Sequence, residues 1–202
     1  MSDAQSWSWA ALFLLGAYHG INPGMGWLFA VALGMQEHSA RGVVRSLLPI
    51  SLGHAGAIGV VVLLAAAIEV ALPLKYVKIA VAVSLIGLGA YRIVRSRHFR
   101  FGGMQVGFGQ LTAWSFLMAS AHGAGLMVLP VVMHMEPQHH HAGANGLYAT
   151  LIHTAGYLSV TALVALVVYK KLGLATLRSA WLNLDLVWAI ALIITGCVAL
   201  SV

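Results

Sequence analysis

Charge is what this sequence has least of. Only 8% of its 202 residues are charged while 60% are hydrophobic, and the mean hydropathy is +0.90. A water-soluble domain carries about 25% charged and roughly 45–50% apolar residues. There is too little polar surface here to cover a soluble particle, so the chain reads as one solvated by lipid. Acidic residues are scarcest, five in all. Glu69 and Asp185 fall near the ends of apolar runs, so no carboxylate pair is set up for acid–base hydrolysis. The single cysteine, Cys197, excludes an intramolecular disulfide, a CxxC redox pair and a cysteine zinc site. Walker A, HExxH and GxSxG patterns are missing too, which argues against ATP-driven or hydrolytic chemistry and for a protein that is not an enzyme. The first residues, Met1 to Gln5, show neither the basic region nor the cleavage site of a signal peptide, so the first apolar run is expected to be retained.

What the sequence has is long apolar runs. Six stand out, at 8–34, 46–70, 76–96, 109–134, 146–169 and 180–201, each near the roughly 20 residues needed to cross the hydrocarbon. With six crossings both termini share a side. Arg41, Arg45, Arg92, Arg95, Arg97, Arg100, Lys170, Lys171 and Arg178 then fall on one face and only Lys75 and Lys78 on the other. The positive-inside rule puts the nine in the cytoplasm and both termini outside, as expected of a multi-pass protein of a cell membrane such as the bacterial inner membrane. Trp7, Trp9, Tyr76 and Tyr148 fall near the outer boundary and Tyr91, Tyr169 and Trp181 near the inner one, where aromatic belts form. The net charge of +6 is thereby an orientation signal and not a sign of a nucleic-acid partner. The basic stretch from Arg92 to Arg100, with Phe99 and Phe101, suits anionic lipid of the inner leaflet.

The two halves resemble one another. Ala17-Tyr18-His19-Gly20 in the first run matches Ser120-Ala121-His122-Gly123 in the fourth, and Leu52-Gly53-His54-Ala55-Gly56 in the second matches Leu151 to Gly156, with His153, in the fifth. Runs three and six share only Leu85 to Gly89 against Leu192 to Gly196. Three runs per half is an odd number, so the halves enter from opposite sides, as in many secondary transporters. The expected fold is an all-α polytopic membrane protein: one membrane domain over 1–202, built as inverted three-helix repeats at 8–96 and 109–202 joined by a cytoplasmic basic loop at 97–108.

By the same length rule His19 and His122 lie ~16–20 Å deep and His54 and His153 ~12 Å deep, all within the middle third of the bilayer. Ionisable residues at such depth mark functional sites, and neutral imidazole is a common ligand for Zn, Cu, Fe and Ni. The plainer alternative is that each histidine makes an interhelical hydrogen bond. Just after His19, Gly20-Ile21-Asn22-Pro23-Gly24 predicts a broken first helix, because Pro23 removes a donor and disfavours helical geometry at Asn22. Pro49 and Pro130 read as ordinary kinks.

His19-Gly20-Ile21-Asn22-Pro23-Gly24-Met25 resembles the first-helix signature of the nickel/cobalt transporter family (NiCoT/NicO, with its UreH-like members) within the lysine-exporter superfamily. That signature places His, Asp, Asp and His at relative positions zero, three, five and six. His19 matches outright; Asn22 and Gly24 stand at the two Asp positions and Met25 at the second His. The resemblance implies a permease; the depth and repetition of the histidines make His19, His54, His122 and His153 the candidate ligands, with Asn22 and Met25 at the helix break, for a transition-metal ion as cargo. The missing carboxylates and the thioether soften the site from Ni or Co toward Cu, with Zn also among the candidates.

Between the fourth and fifth runs, Met133-His134-Met135-Glu136-Pro137-Gln138-His139-His140-His141 has a metal-binding composition. Histidine-rich loops accompany metal transporters of this kind, so Met133, His134, Met135, His139, His140 and His141 are read as an outer capture surface. Solvation without a ligand and pH sensing are the alternatives. Besides the bilayer and the ion, the candidate partners are a second copy of the chain and a periplasmic metal donor. Two other functions stay open: a membrane redox component with paired histidines on haem, and an exporter of a small organic solute with the histidines as proton relays.

Overall fold

The structure, a computed structural model, describes residues 3–71, 74–94, 107–135, 142–172 and 184–201. Among the described residues the regular structure is entirely helical, the outcome expected where lipid leaves backbone groups no partner but the chain itself. In order these are α1 (Asp3–Ile21), a 3-10 turn (Pro23–Met25), α2 (Trp27–Gln36), α3 (Ala40–Ala71), α4 (Leu74–Val94), α5 (Phe108–Ala121), α6 (Ala124–Met135), α7 (Ala142–Val167) with a π turn at its end (Val168–Leu172), and α8 (Leu184–Ser201). The described part of each apolar run is thus helical apart from breaks in the first and fourth. Two stretches, Ala40–Ile68 and Asn145–Lys171, are long and apolar enough to cross a membrane, and the bent pair of α5 and α6 makes a third when taken as one.

Apolar side chains point outward and polar ones inward. On α3, Val44, Leu48 and Leu52 recur every four residues and are half or more exposed, while Val43, Leu47, Ile50, His54 and Ile58 on the opposite face are buried. Ser46, Ser115, Thr150 and Thr161 are buried too, each helix turning its few polar groups toward its neighbours. Trp7, Tyr76, Tyr91 and Tyr148 are exposed near helix ends. Such a surface suits lipid and would be a severe liability in water.

The tightest pairings join α1 to α7, α3 to α5, and α4 to α8, with α3 also lying along α7. Small residues bring these backbones together. A Cβ added at Gly16 would stand 1.9 Å from the His153 carbonyl oxygen, and one at Gly156 2.1 Å from that of Phe13. One at Gly53 would stand 2.2 Å from the Thr112 carbonyl oxygen. The α4–α8 contact is reciprocal. A Cβ at Gly89 would meet Ile193 at 2.7 Å and the Ala189 carbonyl at 2.8 Å; one at Gly196 would meet Ile86 at 2.7 Å and the Ala82 carbonyl at 3.1 Å. Each residue of one set lies 107 positions from its counterpart in the other.

The first helix breaks where Pro23 predicts. After Ile21 the chain makes one 3-10 turn and passes Gly26 at φ 132°, where only glycine is comfortable, before α2 begins. A second break was not expected: α5 stops at Ala121, Gly123 takes φ 70°, and α6 leaves at 59° to α5. Pro130 lies inside α6 and Pro49 inside α3, neither ending its helix.

Candidate functional site: a buried histidine cluster

His19 stands in the last turn of α1, His54 in mid-α3, His153 in α7, and His122 at the C-terminal cap of α5. All four are buried, with 0–3% of their surface exposed. The Gly16–Gly156 contact draws α1 onto α7 and sets the His19 and His153 ring centroids 4.9 Å apart. His54 completes a triangle, 5.7 Å from His19 and 5.5 Å from His153. His122 lies within electrostatic reach of His54 and beside Gly24, where an added Cβ would come within 3.9 Å of its ring.

The four fall into two kinds. His19 Nδ1 donates to the Leu15 carbonyl at 2.7 Å, and His122 Nδ1 to the Met118 carbonyl, also at 2.7 Å. Both bonds reach back one helical turn and fix the tautomer, leaving Nε2 as the lone-pair nitrogen in each neutral ring. The ring nitrogens of His54 and His153 meet no hydrogen-bond partner among the described residues, although His153 lies beside the Leu12 carbonyl. A buried polar group without a partner costs roughly 1–3 kcal/mol, so His54 is held at the cluster by packing and at some expense in stability. The interhelical hydrogen bond offered as the plain account of these histidines is thus not found for His54, whereas His153 of α7 has the Leu12 carbonyl of α1 beside it.

Tyr157 is the residue that sequence reasoning missed. It lies one turn beyond His153 on α7, fully buried, and its ring stacks on His54 with centroids 3.8 Å apart and planes 7° from parallel. Its hydroxyl donates to the Met25 carbonyl and lies beside Thr161 and Ser115. The spacing of four from His153 was the available signal.

At the first break the protein itself satisfies the disrupted backbone. Asn22 Oδ1 accepts from the Gly24 amide at 2.9 Å, the Met25 amide donates to the Asn22 carbonyl at 2.9 Å, and Trp27 Nε1 donates to the Ile21 carbonyl at 2.9 Å. Asn22 therefore acts first as the cap of the turn. Met25 is buried. Gly20 faces the Tyr157 carbonyl of α7, and Pro23 opens the 3-10 turn.

The predicted outer surface divides. Met133 is not part of an exposed loop: α6 continues to Met135, and Met133 is buried, lining a small space with Lys78, Val81, Pro130 and Ala199. His134 and Met135 belong to the last turn of α6. His139, His140 and His141 lie outside the described residues, as do Arg95, Arg97, Arg100, Arg178 and Trp181.

Among the described residues no group of three or more His, Cys, Asp or Glu side chains is arranged to hold a metal ion. The His54 and His153 ring planes lie 7° from parallel with centroids 5.5 Å apart. Two imidazoles bound to one tetrahedral ion at about 2.0–2.1 Å have centroids roughly 5 Å apart, close to the observed 4.9–5.7 Å. No protein-family model, curated protein or solved structure matches the chain.

Proposed function

We propose that this protein is a permease of six membrane spans, arranged as two inverted three-helix repeats, that passes a transition-metal cation through the cluster of His19, His54, His122 and His153. Three features support the repeat. The pairings α1–α7 and α3–α5 exchange with one another when the halves are swapped, α4–α8 maps onto itself with reciprocal glycine contacts, and His19 and His122 make the same backward hydrogen bond. The charge distribution supports a cytoplasmic basic face with both termini outside, and a bacterial inner membrane is the location proposed.

The observation that carries the cargo assignment is the triangle of imidazoles, drawn from three helices and both halves at the spacing an ion would impose. Ligation by all three requires His54 to turn out of its stack. With no carboxylate near, a borderline or soft cation fits best, nickel, cobalt, copper or zinc. Asn22 and Met25 flank the path at the break, and the His134 to His141 segment collects ions outside. A second copy of the chain and a periplasmic donor are the protein partners to look for.

Elemental analysis and an absorption spectrum of the purified protein test this together. About one metal ion per chain is expected, lost on replacing His19, His54 or His153 with alanine. Binding that survives in the variant lacking all four histidines overturns the reading. A Soret band assigns the histidines to haem instead, and accumulation of an organic solute in a deletion strain without any metal phenotype assigns the chain to solute export.

A further inference from the structure

We infer that Tyr157 couples the histidine cluster to the break in the first span, so that the position of His54 sets the stability of the turn at Pro23–Met25. As a step in carrying a cation this rests on the permease reading; as a mechanical link it rests on geometry alone.

One rigid side chain makes both contacts. The Tyr157 ring lies flat on His54, 3.8 Å between centroids and 7° between planes. Its hydroxyl donates to the carbonyl of Met25, the last residue of the 3-10 turn. That carbonyl has lost its helical partner. In a continuous helix it would accept from the Phe29 amide, but here Phe29 and Ala30 both donate to the Gly26 carbonyl, at 3.0 and 3.1 Å. Tyr157 supplies what the break removes. An added Cβ at Gly26 would stand 3.3 Å from the Tyr157 hydroxyl, so the phenol end is closed in by the turn it holds. Drawing His54 toward an ion takes away the face that fixes the phenol ring, and the phenol in turn holds Met25. Tyr157 is therefore a positioning residue: it acts through His54 on one side and the turn on the other.

Amide hydrogen exchange of Gly24, Met25 and Gly26, measured on the full chain in lipid nanodiscs, reads the turn directly. Tyr157→Phe keeps the ring and removes the hydroxyl bond; exchange there is expected to rise about tenfold, the loss of one buried hydrogen bond. His54→Ala removes the stack and is expected to raise exchange roughly three- to tenfold, whereas His54→Phe, which preserves a ring face, leaves it within about twofold. In the double variant of Tyr157→Phe and His54→Ala the two effects do not multiply, because both act through one side chain. Co(II), whose absorption reports imidazole ligation, accelerates the same amides in the wild type but not in Tyr157→Phe.

Exchange unchanged in Tyr157→Phe or in His54→Ala, or effects that simply multiply, overturns the coupling. Co(II) that binds without altering these amides overturns it as well. If neither Co(II) nor Ni(II), Cu or Zn(II) binds while the cycle of variants shows coupling, the link stands and the metal-permease reading falls.

Discussion

The two broken helices carry the same histidine and break in different ways. His19 and His122 each donate Nδ1 to the carbonyl one turn back at 2.7 Å, and in each the helix stops within two residues. The first break is an elaborate one, with an Asn22 cap, a proline, a 3-10 turn, a glycine at φ 132° and an indole on the last carbonyl of α1. The second is minimal: Gly123 at φ 70° turns the chain through 59°, and the Met127 amide returns to the Gly123 carbonyl at 2.9 Å. One end point, a backbone that delivers a buried imidazole and then leaves the helix axis, is reached by many local interactions in one half and by a single glycine in the other.

The largest effect that would break this comparison is expected at Gly26. Alanine there meets both an unfavourable φ and Ile50, 2.6 Å from the new methyl, so Gly26→Ala should cost about 3 kcal/mol or more, measured as a shift of the unfolding midpoint in detergent. Gly123→Ala should cost less, about 1–2 kcal/mol for a left-handed residue, and Gly123→Asn should recover part of it, since asparagine tolerates that region. Equal losses at the two glycines would show that the breaks are equivalent after all. Asn22→Ala should lose about 1 kcal/mol with the cap, and Asn22→Asp should retain most of it. Smallest is Trp27→Phe, which keeps the ring volume in part and gives up one hydrogen bond to Ile21, about 0.5–1.5 kcal/mol.

That contrast also explains what could be read in advance. The interruption at Pro23 was legible because that proline follows Asn22 and lies between Gly20 and Gly24, whereas Pro49 and Pro130, set among apolar residues, stay inside their helices. Gly123 lies among the alanines and glycines of the fourth run, where the same residue type serves packing, and only its φ separates the two uses. The four histidines set inside the apolar runs are buried, and the helices of those runs followed from run length. Ring orientation did not: it is set by which face Tyr157 offers to His54, a contact between residues 103 positions apart. Met133 was misplaced because a loop rich in His and Met looks continuous in sequence, while α6 runs on until Met135 and turns Met133 inward. Runs three and six, whose likeness in sequence was the weakest, make the most nearly reciprocal contact.

The glycine contacts bear on how the chain is assembled. Each of the three closest helix pairings, α1 with α7, α3 with α5 and α4 with α8, joins the first half of the chain to the second. During synthesis the helices of the first half, α1 to α4, are therefore made before their main partners exist, and α1 waits for a helix that begins at Ala142. Contacts so distant in sequence are slow to form. The halves are intertwined strands of one fold, so neither should be stable when expressed by itself, whereas the two expressed together have every surface they need to find one another.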